Sequence, residues 1–245
     1  MPPTYILAVV TGSSRGIGRA IAERLARDGA HVVVTDVRDG SATVETIEAA
    51  GGSAEFREAD VTSEADLESV FAGLDLDVLV NNAAYYAPLV GDGQQRFDEI
   101  ADEEWDAVMA VNAKGPFLAT KAALPRFGPD GGAVVHLSSD TVTTGVPGML
   151  HYVTSKSAIV GMTRSMATEL GDLGIRVNAV MPGFTETPAS RPAGDRAFEA
   201  FEAKQALDGR LQPEDIAGVV AFLAGPDSAA VTGQVVVANA GRSYY

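Results

Sequence analysis

The sequence predicts a doubly wound α/β domain, a parallel sheet with helices on both faces. Three observations carry the prediction. Short β-branched runs alternate with helical patterns along the whole chain. Those runs are almost continuously apolar, as strands covered on both faces must be. A glycine-rich turn, VVTGSSRGIGRAI (9–21), joins the first run to the first helical pattern.

The elements follow in order. YILAVV (5–10) is a strand, and IGRAIAERLARDG (17–29) is a helix whose Ile17, Ile21 and Leu25 share one face. HVVVTD (31–36) is a second strand, with SATVETIEAAGG (41–52) behind it. AEFREAD (54–60) alternates as a third strand. The helix over 63–73 begins at a Ser63 cap with Asp66 three residues on. DVLVNN (77–82) is the fourth strand, a long helix is expected from Glu104 to Phe127, and GAVVHLSS (132–139) is the fifth strand. A helix over 152–170 leads into IRVNAV (175–180), PEDIAGVVAFLAG (213–225) is the last helix, and QVVVAN (234–239) the last strand. No repeat or linker divides the chain, so residues 1–245 are read as a single domain.

Composition narrows the functions. A 46% hydrophobic content argues against disorder. The net charge of −15 is spread along the chain and offers no basic patch for nucleic acid or anionic membrane. No apolar run approaches the ~18 residues of a membrane span. The opening MPPTYILAVV lacks the basic flank and cleavage site of a signal peptide, so a soluble, cytoplasmic protein is expected. The chain has no cysteine, and His31, His136 and His151 are scattered, so no metal site is expected.

In the glycine-rich turn, Gly12, Gly16 and Gly18 let the backbone approach a pyrophosphate at a helix N-terminus, with Ser14, Arg15 and Ile17 completing the loop. Asp36 ends the second strand 18 residues after Gly18, where a carboxylate accepts hydrogen bonds from adenosine ribose hydroxyls. The pair predicts a dinucleotide cofactor, NAD rather than NADP. Arg15 and Arg38 are the counter-signal, since either reaches a 2′-phosphate once the aspartate's repulsion is gone. Asp60 and Val61 close the third strand and NNAA (81–84) the fourth. Asp60 serves either a ligand or the helix that follows, and Asn81 either a ligand or a turn.

HYVTSK (151–156) sets Tyr152 and Lys156 four apart on one helical face, about 5–6 Å between Cβ atoms. Alone, that spacing reads as a surface pair. With TGSSRGIG, NNAA, Asn112, Ser138-Ser139, YVTSK, PGFTET (182–187) and VTGQ (231–234) in this order, the chain resembles the short-chain dehydrogenase/reductase family over essentially its whole length, which implies a Rossmann fold. The resemblance implies Asn112, Ser139, Tyr152 and Lys156 as catalytic residues. Tyr152 would be the acid–base, Ser139 would polarise the substrate oxygen, Lys156 would also bind the nicotinamide ribose, and Asn112 would fix a bend in its helix and a water relaying protons to Lys156. A tyrosine brought from its usual pKa of about 10 to about 7 needs roughly 4 kcal/mol of differential stabilisation, which the adjacent ammonium and an oxidised nicotinamide favour.

The resemblance also implies cofactor contacts from Asn82 and Ala83 on the adenosine side, from Pro182 and Gly183 beneath the nicotinamide, and from Thr185 and Thr187. Two motifs depart from the family pattern. Ala84 stands where the usual NNAG has glycine, and Asn239-Ala240-Gly241 replaces DGG. The substrate pocket is expected at Tyr85, Tyr86, Thr141–Val142, Met149–Leu150 and Phe184, under a mobile lid over about 184–204. Tyr85 and Tyr86 either face substrate or cover the sheet edge. The reading is an NAD-dependent alcohol dehydrogenase or carbonyl reductase for a hydrophobic or aryl secondary alcohol or ketone. Behind it stand a 3-oxoacyl-(acyl-carrier-protein) reductase and, more remotely, a non-catalytic dinucleotide-binding protein. Family resemblance implies a homotetramer built on the 104–127 and 152–170 helices, where Ala158, Gly161 and Ala167 allow close approach or serve the sheet. The GRSYY tail carries no assigned role.

Overall fold

Seven parallel strands, β1 (Leu7–Thr11), β2 (His31–Asp36), β3 (Ser53–Glu58), β4 (Val78–Asn81), β5 (Gly132–Leu137), β6 (Ile175–Pro182) and β7 (Val235–Ala238), form one sheet in a computed structural model describing residues 6–245. Their order is β3-β2-β1-β4-β5-β6-β7. The sequence assigns the same seven strands; Tyr5, at the start of the expected first one, lies outside the described residues. β3 stops at Glu58, so Asp60 and Val61 sit beyond the strand they were expected to close.

The reason both alternating sets of strand residues are apolar is now visible. Ala8, Val10, Val32, Val34, Val78 and Val80 face α1 (Gly16–Arg27) and a later helix, Pro213–Ala224, packing on Ile21, Leu25, Ile216 and Val220. Val9, Val33, Leu79 and Val134 face the opposite way, onto α3 (Glu64–Phe71) through Leu67 and Phe71. α2 (Ser41–Ala49) flanks the first face. The Ser63 cap forms as expected, its hydroxyl accepting from Asp66 N at 3.2 Å.

The expected 104–127 helix is not continuous. α4 (Asp102–Met109) passes through one wider turn, Ala110–Lys114, into α5 (Gly115–Ala123), with Gly115 N donating to Ala110 O five residues back. Pro116 has no N–H to give the carbonyl four residues earlier and its ring crowds that carbonyl. Wide turns of this kind recur at functional sites. α6 (Thr141–Thr144) precedes α7 (Leu150–Glu169). Of the three small residues on α7, Ala167 packs into the sheet core while Ala158 and Gly161 face outward. The segment over 184–204 contains α8 (Asp195–Glu202), a helix the sequence reading did not assign, and α9 is the Pro213–Ala224 helix. Among the described residues no helix is long and apolar enough to cross a membrane.

β1 lies between β2 and β4, so the chain reverses its direction of winding at the β1–β4 gap. The loops leaving the carboxyl ends of these strands diverge and open a crevice there, the usual ligand site of such sheets.

The Asn239-Ala240-Gly241 departure has a backbone cost. Ala240 holds φ 53°, the one non-glycine residue with positive φ among those described. Its carbonyl accepts from Ala206 N at 2.9 Å and Leu207 N at 3.0 Å, which keeps it there. Ala240→Gly is expected to stabilise the chain by about 1 kcal/mol, since alanine strains in this region and glycine does not. Calorimetry should read a Tm higher by roughly 2–4 °C, and an unchanged or lower Tm would show the strain to be absent.

Candidate active site

The crevice is a cavity of about 550 Å³, and the cofactor and substrate positions expected from the sequence line it, except Ser14, Val142 and Leu150. At its base the loops after β1 and β4 touch. Gly12 (φ 66°) lies so near Ala83 that a Cβ would sit 2.7 Å from Ala83 Cα, and a Cβ on Gly18 would overlap the Gly12 carbonyl and the Asn82 amide. Asn82 Nδ2 donates to Thr11 O (3.0 Å) and Gly12 O (2.9 Å), while Thr11 Oγ1 accepts from Asn82 N and Ala83 N. Asn82 therefore ties the glycine loop to the end of β4. Asn81 points elsewhere, its buried amide donating to Thr120 Oγ1 and to His136 Nδ1. Arg15 caps α1 without a side-chain bond, so the first-turn N–H groups of that helix face the cavity. A close backbone cradle at an uncapped helix N-terminus fits a pyrophosphate.

At the far rim, Asp36 Oδ2 accepts from Ser14 N (3.2 Å) and Ser14 Oγ (2.7 Å), and Oδ1 from Arg38 N (3.1 Å). Ser14 thus holds the aspartate from behind. Arg15 and Arg38 flank it. Burial and the Arg38 charge lower the Arg15 pKa while Asp36 raises it. Asp60 is exposed at the cavity edge and folds its carboxylate onto Thr62 N and Oγ1. The cap of the following helix is Ser63, so the Asp60 carboxylate closes the turn ahead of that helix rather than capping it. Ala84 also reaches the cavity, while Thr185 and Thr187 are buried in its wall.

The inner end gathers Ser139, Tyr152 and Lys156. Ser139 Oγ accepts from Thr141 Oγ1 at 3.0 Å, and Ser138 Oγ donates to the Lys156 carbonyl. Lys156 Nζ lies 5.9 Å from the Tyr152 ring centre and donates to Leu137 O at 2.8 Å. Asn112 sits in the wide turn behind them, lines no cavity surface, and is fully buried. Its Oδ1 accepts from Tyr85 N at 2.7 Å and its Nδ2 donates to Tyr85 O and Ser155 Oγ. It joins the wide turn, the Tyr85 backbone and α7.

In the chain without a nicotinamide, desolvation dominates the Tyr152 phenol. Burial raises its pKa, Tyr86 and Asp140 add to that, and only the Ser139 hydroxyl opposes. Burial also lowers Lys156 to about 8 and, with the Lys156 charge, His136 to about 4.

The outer half is apolar, with Tyr85, Tyr86, Met149 and Phe184 at the wall and Tyr86 5.2 Å from Tyr152 between ring centres. Val142 and Leu150, expected as borders, do not line it; Leu150 opens the first turn of α7 and points to solvent. Two residues escaped the sequence reading: Asp140 lines the cavity beside Ser139 and pairs with Arg242 at 2.8 Å. Phe201 of α8, inside the expected 184–204 segment, closes the wall. A charge adjoining Ser139 was the one local signal, but its partner lies 102 residues away.

The family model described as enoyl-(acyl carrier protein) reductase matches residues 12–243. The chain belongs to the short-chain dehydrogenase/reductase family. It is 37% identical to a rat (3R)-3-hydroxyacyl-CoA dehydrogenase, over 96% of this chain and 95% of that one. A dehydrogenase/reductase from Sinorhizobium meliloti superposes with a TM-score of 0.90 at 38% identity, covering 98% and 95% of the two chains. An actinorhodin polyketide ketoreductase variant with NADPH superposes at 0.88 with 34% identity, covering 98% of each.

Lys156 makes the site's electrostatics measurable. Its pKa is depressed in the folded chain, to about 8 from 10.5. Between those values the unfolded chain binds a proton that the folded chain does not, so the residue's contribution to stability rises with pH across that window and is flat below it. Urea titrations should therefore show wild type gaining on Lys156→Met from pH 8 to 10.5. A constant difference would mean that burial does not shift this lysine.

Proposed function

We propose that this oxidoreductase transfers a hydride between NAD(H) and a hydrophobic or aryl secondary alcohol or ketone, working as an NAD-dependent alcohol dehydrogenase or carbonyl reductase. The carrying observation is the Tyr152 phenol, held protonated by burial and facing the Ser139 hydroxyl where the apolar half of the cavity meets the glycine-loop half. Both hydroxyls would donate to a carbonyl oxygen bound between them. Ser139 would polarise it and Tyr152 would give it the proton. A nicotinamide dinucleotide, when bound, supplies or accepts the hydride at the carbinol carbon. Asn112 and the Leu137 carbonyl fix α7 and Lys156 behind the phenol.

The cofactor reading rests on Asp36. Its carboxylate accepts from ribose hydroxyls, worth roughly 1.5–3 kcal/mol for charge-assisted bonds, and opposes a 2′-phosphate of about −1.5 to −2 charge. The flanking Arg15 and Arg38 are what keeps the preference finite. The apolar wall and the likeness to a polyketide ketoreductase support a ring-bearing ketone.

Reduction of a 3-oxoacyl group is the second reading, favoured by the acyl-substrate descriptions of the family model and of the rat relative. An acidic carrier protein would meet a chain of charge −15. Of the three basic residues that could receive a carrier, Lys121, Arg126 and Arg164, Lys121 is paired with Glu64 and Arg164 lies over the Tyr245 ring, which leaves Arg126 for the task. A cytoplasmic homotetramer is our reading of the assembly, with the outward Ala158 and Gly161 of α7 and the exposed Phe117 of α5 on the faces that would meet; light scattering at micromolar concentration checks it.

Steady-state kinetics with NADH and NADPH against a panel of aryl and alkyl ketones test the function. Wild type should reduce aryl ketones and prefer NADH. Tyr152→Phe should bind dinucleotide normally yet lose nearly all turnover, and retention of a tenth of kcat would remove Tyr152 from the chemistry. Asp36→Ser should shrink the NAD preference on the order of 100-fold, about 2.7 kcal/mol. A wild type that prefers NADPH, or an unchanged ratio in the variant, would overturn the NAD assignment.

A further inference from the structure

The GRSYY tail is built into the wall of the site. Arg242 donates to Asp140 Oδ2 at 2.8 Å, with side chains only 10% and 3% exposed. Asn239 Nδ2 donates to Ser243 Oγ at 2.9 Å and lies 3.4 Å from the same Asp140 oxygen, and Ser243 Oγ meets Thr143 Oγ1 at 2.8 Å. The loop that carries Ser139 into α6 is thus held by the end of the chain.

The same guanidinium lies over the Phe201 ring, 4.3 Å from its centre. Phe201 stacks on Phe184 at 4.5 Å, and Phe184 on Phe198 at 4.5 Å. Arg210 lies over the Phe198 ring at 4.6 Å and is itself held by Glu202 and Asp195. Three rings from the 184–204 segment therefore lie between two arginines. One arginine belongs to the segment's own charged surroundings, and the other reaches the residue next to Ser139.

We propose that Arg242 is a positioning residue that locks the 184–204 wall to the Ser139 loop, so that enclosure of the substrate end and placement of the Ser139 hydroxyl are one event. The proposal rests on the hydride-transfer reading of this site. Arginine suits the task because its planar guanidinium pairs with a carboxylate through its edge and stacks through its face at once, which lysine cannot do. The alternative role is local: a carboxylate this deeply buried needs a counter-charge whatever the 184–204 segment does.

Ketone and nicotinamide kinetics, with hydrogen exchange of the full chain, separate the two. Arg242→Met should raise the KM for the ketone about tenfold, the scale of one desolvated cation–π contact, and leave the nicotinamide KM within about twofold. Backbone amides of 195–202 and of 140–144 should both exchange faster. Arg242→Lys, which keeps the charge, should recover the 140–144 amides but not those of 195–202. If Arg242 only neutralises Asp140, the double variant Asp140→Asn/Arg242→Met will return the ketone KM to wild type, and the proposal is overturned. Should Arg242→Met fail to fold, Phe201→Leu leaves the ion pair intact and must still raise the ketone KM and loosen 195–202; no change in either also overturns it. Arg164→Ala, which frees Tyr245 alone, should match wild type, and an equal effect there would take the role from Arg242. A wild type that reduces no ketone with either nicotinamide defeats the hydride-transfer reading. The exchange arms still report on the coupling, which fails if only one of the two segments responds.

Discussion

The contact between the loops after β1 and β4 governs everything above the sheet. Gly12 touches Ala83, and the Asn82 amide spans the Thr11 and Gly12 carbonyls, leaving room for no side chain at Gly12 or Gly18. Because that contact is closed by backbone, the start of α1 and the end of β4 hold one fixed separation. The uncapped N–H groups of α1, the Asp36 carboxylate held by Ser14, and the strand ends that carry Ser139 are all placed relative to it. A sheet buried on both faces makes such a junction rigid, since any shift of β1 would disturb Val9 on one side and Val10 on the other.

What could be read in the sequence follows from this. Strands with two apolar faces, the Ser63 cap and the glycine loop are local patterns, and each was legible within about a dozen residues. Asn112, Ser139, Tyr152 and Lys156 were legible only through family spacing, and the fold does bring all four to one end of the cavity, Asn112 from behind its wall. The wide turn around Asn112 was half visible. The resemblance implied a bend there, yet the helix was drawn straight through Pro116, the residue that forbids it. α8 was hidden because its eight residues lie among Pro, Thr and Ala, where only the Phe198 and Phe201 spacing points to a helix. The tail was hidden because its partners are about a hundred residues distant.

The raised pKa of Tyr152 in the chain without nicotinamide is invisible in sequence for a related reason. Sequence spacing names the neighbours of a group but not how much water they exclude, and here desolvation outweighs the neighbouring charge. The same cause acts throughout the inner site. It raises Tyr152, raises Tyr86 to about 12, raises Asp140 against its arginine, and lowers Lys156 and His136. Every shift favours the neutral form. A chain with fifteen net negative charges thus surrounds a cavity end that carries few of them.

That neutrality bears on the proposed chemistry. Reduction of a ketone builds negative charge on its oxygen, and a free carboxylate nearby would resist it. Asp140 is the buried acid closest to Ser139, and the Arg242 guanidinium at 2.8 Å cancels its charge. With that charge cancelled, the fields left at the inner end come from the Ser139 and Tyr152 hydroxyls and from the Lys156 ammonium behind them. All of these stabilise a developing oxyanion, and each acts more strongly in a medium from which water is excluded. The residue that supplies the cancellation also stacks on the wall that excludes the water. Charge balance and enclosure at this site therefore depend on one side chain at the end of the polypeptide.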